Sequence, residues 1–262
     1  MCLRGLLLVS GLFLSSWALT PEECQPLVTP RSLADPSMMY NKPNFLAGYN
    51  DNKVFRAILK GTQSSLVEIS ASPLSPQEVF MSHLNRMKGV CMHSTVNTTI
   101  DGDTATTSFQ TKDVSDCTAE YSPHGVAGNQ LSRGDTSKAP FKNTRSTLVV
   151  LFYVHVFPAL ANVTSKFHIL PSSDSILVMS INSTASHFKK LLQMTQIDLE
   201  DAVDEISFHA LYLLGRETTL SDSDMEEFKK QASCLGFSGE PHYIYNPENA
   251  FCTEEESIKM EF

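Results

Sequence analysis

The stretch Cys91-Met-His-Ser-Thr-Val-Asn-Thr-Thr-Ile-Asp-Gly-Asp-Thr-Ala-Thr-Thr-Ser-Phe109 contains the strongest hairpin signal in the chain. Two runs rich in Thr, Val and Ile, which favour extended backbone, flank Asp101-Gly102-Asp103. A glycine between two aspartates is typical of a tight turn. The stretch therefore predicts two antiparallel strands, 91–100 and 104–109, joined as a hairpin.

Six more short runs on either side of this hairpin have the same strand character. They are 45–49, 65–70, 79–87, 166–170, 176–181 and 206–214. Many short strands joined by turns favour a closed barrel or a β-sandwich. The pattern therefore predicts a mainly β fold.

One clear helix is predicted after the last strand. Its apolar positions, which recur at helical spacing, are Met225, Phe228, Ala232 and Leu235. Ser221 and Asp224 are spaced like a capping box, and Gly236 is placed to end the helix. A shorter helix is predicted over 187–194.

The N-terminus has the pattern of an export signal. Arg4 precedes the apolar run 6–14, and Ser16-Trp17-Ala18 offers small residues for cleavage. The run is too short for a bilayer span, which needs ~20 apolar residues. We expect 1–18 to be a signal peptide, 19–252 the folded domain and 253–262 an acidic tail of a secreted, extracellular protein. The alternative is an uncleaved membrane anchor.

Charge and motifs exclude several functions. The net charge is −9 with no long basic run, which argues against nucleic acid and anionic membrane surfaces. The sequence has no Gly-x-Ser-x-Gly elbow, no Gly-rich phosphate loop, no His-x-x-x-His pair and no Cys-x-x-Cys. The eight histidines are scattered. We therefore predict no catalytic residues, no metal site and no cofactor.

Cysteines and glycosylation motifs fit an extracellular protein. After residue 18 the cysteines are Cys24, Cys91, Cys117, Cys234 and Cys252. Secreted cysteines are usually bridged, so an odd count suggests four in a framework and one unpaired, for which Cys117 is the candidate. Asn97, Asn162 and Asn182 each begin an Asn-x-Thr glycosylation motif.

Several segments resemble lipocalins. The C-terminal helix of the apolipoprotein M and alpha-1-acid glycoprotein branch is resembled by Asp224-Met-Glu-Glu-Phe-Lys-Lys-Gln-Ala-Ser-Cys-Leu235. The segment that leads to the mid-chain cysteine of that branch is resembled by Asn85-Arg-Met-Lys-Gly-Val-Cys91, and its first strand is resembled by Phe45-Leu-Ala-Gly48. Glu217-Thr-Thr219 is similar to its link between last strand and helix. Fish plasma proteins that bind saxitoxin and tetrodotoxin are similar as well. The resemblance covers about 20–110 and about 160–252, and the order of the segments is its specific part.

This resemblance implies an eight-stranded antiparallel barrel with a C-terminal α-helix that carries a small apolar or amphipathic ligand. It implies disulfides between Cys24 and Cys234 and between Cys91 and Cys252. It places Phe45, Ala47, Tyr212 and Leu214 toward the pocket, and strand alternation puts Phe208 on the face of Tyr212.

The implied partners are a lipid or steroid, lipoprotein particles, or a guanidinium toxin. A guanidinium group prefers a carboxylate, and Glu68 is the strand carboxylate that we nominate for it.

One departure from the family concerns the barrel floor. Lipocalins carry Gly-x-Trp before the first strand, and Asn41-Lys42-Pro43 stands there instead. The family's tryptophan lies under a basic residue near the last strand. Arg216 resembles that residue, but its aromatic partner is missing, so we expect a looser floor.

Residues 114–159 match no lipocalin element and are predicted to be an irregular insertion. They contain Cys117 and the apolar run 148–157. Their removal would bring 106–109 next to 162–170 as two sequential strands. We interpret the insertion as a retained intron translated in frame. The alternatives are a membrane hairpin, for which the apolar run is too short and contains His155, and an extra barrel strand at 148–157.

Two other functional classes stay open. A lipocalin-type enzyme would need a reactive cysteine in the barrel. An extracellular interaction module of the immunoglobulin type would want a buried tryptophan between its cysteines, and the one tryptophan, Trp17, lies in the predicted signal.

Overall fold

The computed structural model of the chain describes residues 19–109, 162–186 and 205–260. The predicted signal peptide 1–18, the insertion 114–159 with Cys117, and the short helix 187–194 lie outside these ranges. Those three remain predictions from the sequence.

Eight strands form a barrel, and each contains one of the runs predicted from the sequence. Their bounds are β1 (Asn44–Asn50), β2 (Thr62–Ala71), β3 (Glu78–Met87), β4 (Val90–Asp101), β5 (Thr104–Phe109), β6 (Asn162–Leu170), β7 (Ile176–Ser186) and β8 (Ile206–Gly215). Each strand pairs antiparallel with the next, and β8 pairs back with β1. The predicted eight-stranded antiparallel barrel is therefore confirmed.

The hairpin of residues 91–109 forms around its predicted turn. β4 and β5 pair up to Asp101 opposite Thr104, and Gly102 has a φ of 65°. Glycine adopts this left-handed backbone without a Cβ clash. β5 also pairs with β6, with Phe109 opposite Val163. The strands on either side of residues 110–161 are thus neighbours, as predicted.

Further elements surround the barrel within the described ranges. They are α1 (Pro21–Val28), a 3-10 helix (Pro36–Met39), α2 (Lys53–Gly61), α3 (Asp222–Cys234), β9 (Tyr243–Ile244) and β10 (Ile258–Met260). α3 is the predicted C-terminal helix, whereas α1 and α2 were not predicted. β10 runs parallel to β4, so part of the expected acidic tail 253–262 is a strand of the sheet.

α3 packs against the outside of the barrel along its apolar stripe. Ser221 caps its first turn. Phe228 and Ala232 are buried in one core cluster with Leu211 and Leu213 of β8. Alternation along β8 therefore separates an outer core under the helix from the residues that face the barrel interior.

Both disulfides implied by the resemblance are present. Cys24 bonds to Cys234, which ties α1 to the end of α3, and Cys91 bonds to Cys252, which ties the C-terminal segment to β4. The buried Gln231 adds hydrogen bonds from its Nε2 to the carbonyls of Leu27 (3.0 Å) and Pro171 (2.7 Å). The N-terminal arm, the helix and the barrel are thus joined at several points.

The barrel floor is closed without the family's tryptophan. The N-terminal arm crosses the closed end, where the Leu33 amide donates to the Gly102 carbonyl at 3.0 Å. Leu33 and Met39 are each only 1% exposed and belong to the core cluster of the barrel interior. Asn44 Nδ2 donates to the Arg216 carbonyl at 2.9 Å, while the Arg216 side chain is exposed. Apolar side chains thus occupy the floor in place of the tryptophan, and the expectation of a looser floor stays a prediction.

Candidate ligand cavity

The barrel encloses a cavity of about 400 Å³. Most of its wall is apolar, and its apolar side chains come from nearly every barrel strand and from α2. Pockets that hold small molecules have volumes of about 300–1,000 Å³. The cavity is therefore large enough for one small ligand.

Four of the five predicted pocket residues line this cavity. Phe45 on β1 and Phe208, Tyr212 and Leu214 on β8 face it. Ala47 does not: it is fully buried in the outer core with Phe228 under α3. The assignment of Ala47 to the pocket is therefore wrong.

A bulge in β1 explains the position of Ala47. Phe45 pairs with Leu214 but Ala47 pairs with Leu213, so one extra residue lies between them. An extra residue reverses the alternation of side chains that follow it. Gly48 thus takes the inward position opposite Tyr212. A Cβ on Gly48 would lie 2.7 Å from Phe45 Cζ, so glycine makes room for that ring.

A short strand completes the wall beside this bulge. β1 pairs with β2 only at Asn44 opposite Leu66, and β9 pairs with β1 at Ala47 and Gly48. Tyr243 of β9 stacks on Phe45, with ring centroids 4.5 Å apart. Tyr212 meets Phe45 edge-on at 4.9 Å. The three rings fill the gap that β1 leaves as it diverges from β2.

α2 covers the open end of the cavity. Phe55, Ile58 and Leu59 line it, and the ring of Phe55 stacks on that of Phe208 at 3.7 Å. Sequence reasoning missed this lid, although Val54, Phe55, Ile58 and Leu59 recur at helical spacing after Asn52, which caps the helix. The signal was present, but it lies inside the link between two strands.

The polar lining lies mainly in the half of the barrel nearer α2. Its members are Thr62, Ser65, His83, Asn85, Thr107, Ser165 and Ser183. Ser165 and Ser183 hydrogen-bond to each other at 2.7 Å, and Thr107 bonds to Thr98 at 2.6 Å. The closed half is lined by residues such as Phe167, Met179 and Leu214. The cavity therefore becomes more apolar with depth.

The titratable groups of the lining are neutral near pH 7. Burial, helped by the nearby His93, lowers the pKa of His83 to about 4. Burial also raises the pKa of Tyr212 to about 12, against a smaller opposite effect of Asn50. Among the described residues, no Asp, Glu, Lys or Arg lines the cavity. The wall thus offers hydrogen bonds without net charge.

Glu68 does not supply a carboxylate to the cavity. Its side chain is exposed, whereas Ser65 and Val67 of the same strand line the cavity. The alternation of β2 places Glu68 on the outer face. Its nomination as the partner of a guanidinium ligand is therefore wrong.

The remaining predicted sites lie on the outer surface or in bridges. Asn97 on β4 and Asn182 on β7 are exposed, so both amides are accessible for glycosylation; the side chain of Asn162 lies outside the described part. The cysteines at 24, 91, 234 and 252 are bridged and offer no thiolate. None of the helices within the described ranges is long and apolar enough to cross a membrane.

Comparisons with known proteins find similar solved structures but no match in sequence. No protein-family model and no curated protein sequence matches the chain. A siderocalin described with a dual ligand binding mode is similar at 14% identity, covering 86% of this chain and 98% of its own, with a TM-score of 0.46. The siderocalin Ex-FABP shares 12% identity, and the match covers 83% of this chain and 96% of that protein, with a TM-score of 0.45. Lipocalin 12 from rat epididymis shares 8% identity, and the match covers 82% of this chain and 87% of that protein, with a TM-score of 0.42.

At these identities the structural matches add no argument about function. The fold rests on the chain's own topology: eight sequential antiparallel strands, closure of β8 on β1, and one helix packed outside the last strand. In fold, this chain is a closed eight-stranded antiparallel β-barrel with a C-terminal helix packed on its outside.

Proposed function

We propose that this chain is a secreted carrier that holds one small apolar or amphipathic ligand inside its barrel. The observation that carries the proposal is the cavity of about 400 Å³, walled by apolar side chains and covered by α2. A protein interior is normally filled to the density of an organic crystal, so an apolar space of this size is suited to a ligand.

Secretion is part of the proposal and rests on other features. The first 18 residues have the pattern of a signal peptide, and two disulfides tie the N-terminal arm to α3 and the C-terminal segment to β4. Asn97 and Asn182 point outward, where glycans would not disturb the core. Association with lipoprotein particles stays a prediction from the resemblance. A guanidinium toxin is not proposed, because no described lining residue bears a carboxylate.

The test is native mass spectrometry of the protein secreted from animal cells, followed by binding of the neutral fluorophore N-phenylnaphthylamine. We expect a co-purifying small molecule and saturable fluorophore binding. Ile181→Trp should weaken binding, because Ile181 lines the cavity and the larger ring would occupy it. Leu74→Trp is the matched control, since Leu74 is 74% exposed and is not one of the residues that line the cavity. Equal binding by both variants would contradict the proposal.

A further inference from the structure

Three polar side chains on one wall of the cavity have no hydrogen-bonding partner among the described residues. Ser65 on β2 lies directly opposite Asn85 on β3, and His83 lies two residues before Asn85 on β3. All three line the cavity. The hydroxyls of Ser165 and Ser183 on the facing wall differ, because they bond to each other. Among the described lining residues, the polar side chains that lack any hydrogen-bond partner thus lie together on the wall formed by β2 and β3.

These polar atoms open onto the cavity and are not sealed inside the protein. The described buried side-chain atoms without a partner are Asn50 Nδ2, Gln231 Oε1 and Tyr243 Oη, and none of them belongs to this wall. An apolar ligand that displaced solvent from the cavity would leave these groups buried and unpaired, which is unfavourable. A ligand group that pairs with Ser65, His83 and Asn85 would avoid that cost.

The charge of the wall limits the chemistry of that ligand group. No Asp, Glu, Lys or Arg is among the described lining residues, and burial together with His93 lowers the pKa of His83 to about 4. An ionised head brought into this cavity would find no counter-charge, and burying an unpaired charge is strongly unfavourable. An uncharged head loses much less on leaving water.

The position of the wall sets the orientation of the ligand. Asn85 lies near the end of β3 that leads to the open end, and Ile58 and Leu59 of α2 close the cavity above it. Below, the cavity is bounded by side chains such as Phe167 and Met179. A polar head thus fits under the lid and an apolar tail fits the closed half.

We propose that Ser65, His83 and Asn85 form the head-group seat for an amphiphile with an uncharged hydrogen-bonding head, such as a hydroxyl, carbonyl or amide, and with its apolar tail toward the closed end. This inference rests on the proposed carrier function and names the ligand class. The seat is assigned by strand register, by its place on the cavity wall and by the absence of partners in the described part of the chain.

The experiment compares four probes with the same hydrocarbon chain: dodecane, dodecanol, dodecanoate and dodecylamine. Each is used near neutral pH to displace N-phenylnaphthylamine from the secreted protein. Dodecanol should bind at least about tenfold more tightly than either ionised probe, because only the ionised heads lack a counter-charge in the cavity. Preference for dodecanoate or dodecylamine would overturn the seat.

Variants locate the effect on the wall. Ser65→Ala combined with Asn85→Leu should weaken the binding of dodecanol by roughly tenfold and change the affinity for dodecane by no more than about twofold. His83→Gln should keep most of the dodecanol affinity, because an amide still donates and accepts. Ser70→Ala, on the exposed outer face of β2, is the control. An equal loss of affinity for dodecanol and for dodecane in the double variant would contradict the seat. A thermal unfolding scan of each variant checks that it is folded.

The two proposals fail in different ways. Displacement by every probe with no preference for the uncharged head would overturn the seat and leave the carrier function standing. Failure of all four probes and of the fluorophore to bind would overturn the carrier function itself.

Discussion

Truncation of Phe228 should destabilise the protein without changing its cavity. Phe228 is fully buried between α3 and the barrel wall, and its ring lies 5.5 Å from that of Tyr49. Replacing a buried phenylalanine with alanine typically costs about 3–5 kcal/mol, because the lost burial adds to the cavity left behind. The disulfide between Cys24 and Cys234 anchors the end of α3 to α1, so we expect little collapse and a value near the upper end.

Urea unfolding of oxidised Phe228→Ala, followed by circular dichroism, measures this free energy. Met225→Ala is the matched control, because Met225 lies on the same helix face but is only partly buried. It should cost less than half as much. N-phenylnaphthylamine binding should be unchanged in both variants, since Phe228 packs on the outer face of the wall. A loss of less than about 1 kcal/mol in the free energy of unfolding of Phe228→Ala would refute a separate core between α3 and the outer face of the barrel.

Three further outcomes can be measured on the same protein. Replacing Cys91 and Cys252 with serine should lower the free energy of unfolding by at most about 5 kcal/mol, because the bridge spans 161 residues, and urea midpoints check this. Gly48→Val should weaken fluorophore binding, since its Cβ would lie 2.7 Å from Phe45 Cζ and push that ring into the cavity. Stability should fall as pH drops from about 6.5 to about 4, because burial lowers the pKa of His83 to about 4 and the unfolded chain binds the proton first. Urea unfolding at several pH values should show that the free energy of unfolding of His83→Gln depends less on pH over this range.

The strands and α3 could be predicted because their signals are local. The turn at Gly102 needs a left-handed residue, and the apolar stripe through Phe228 needs a partner surface. The two disulfides followed from the resemblance to lipocalins and not from spacing. Cysteine spacing alone leaves several pairings open.

The errors arose where a long-range contact decides the local geometry. Ala47 faces outward because of a bulge, which depends on the pairing of β1 with β8 and has no clear signal in Phe45-Leu-Ala-Gly48. The polar wall could have been predicted from the sequence, because Met81, His83, Asn85 and Met87 occupy every second position of β3 and therefore share one face. The same alternation on β2 would have excluded Glu68 from the cavity.

The placement of the two disulfides determines what a single cut in the chain would do. Cys24 and Cys91 precede residues 110–161, whereas Cys234 and Cys252 follow them. Each bridge therefore joins the N-terminal half of the molecule to the C-terminal half, as do the pairings of β5 with β6 and of β1 with β8. A protease that cleaves once between 110 and 161 would produce a two-chain protein with an intact barrel. On a denaturing gel its two chains would migrate as one band until the disulfides are reduced.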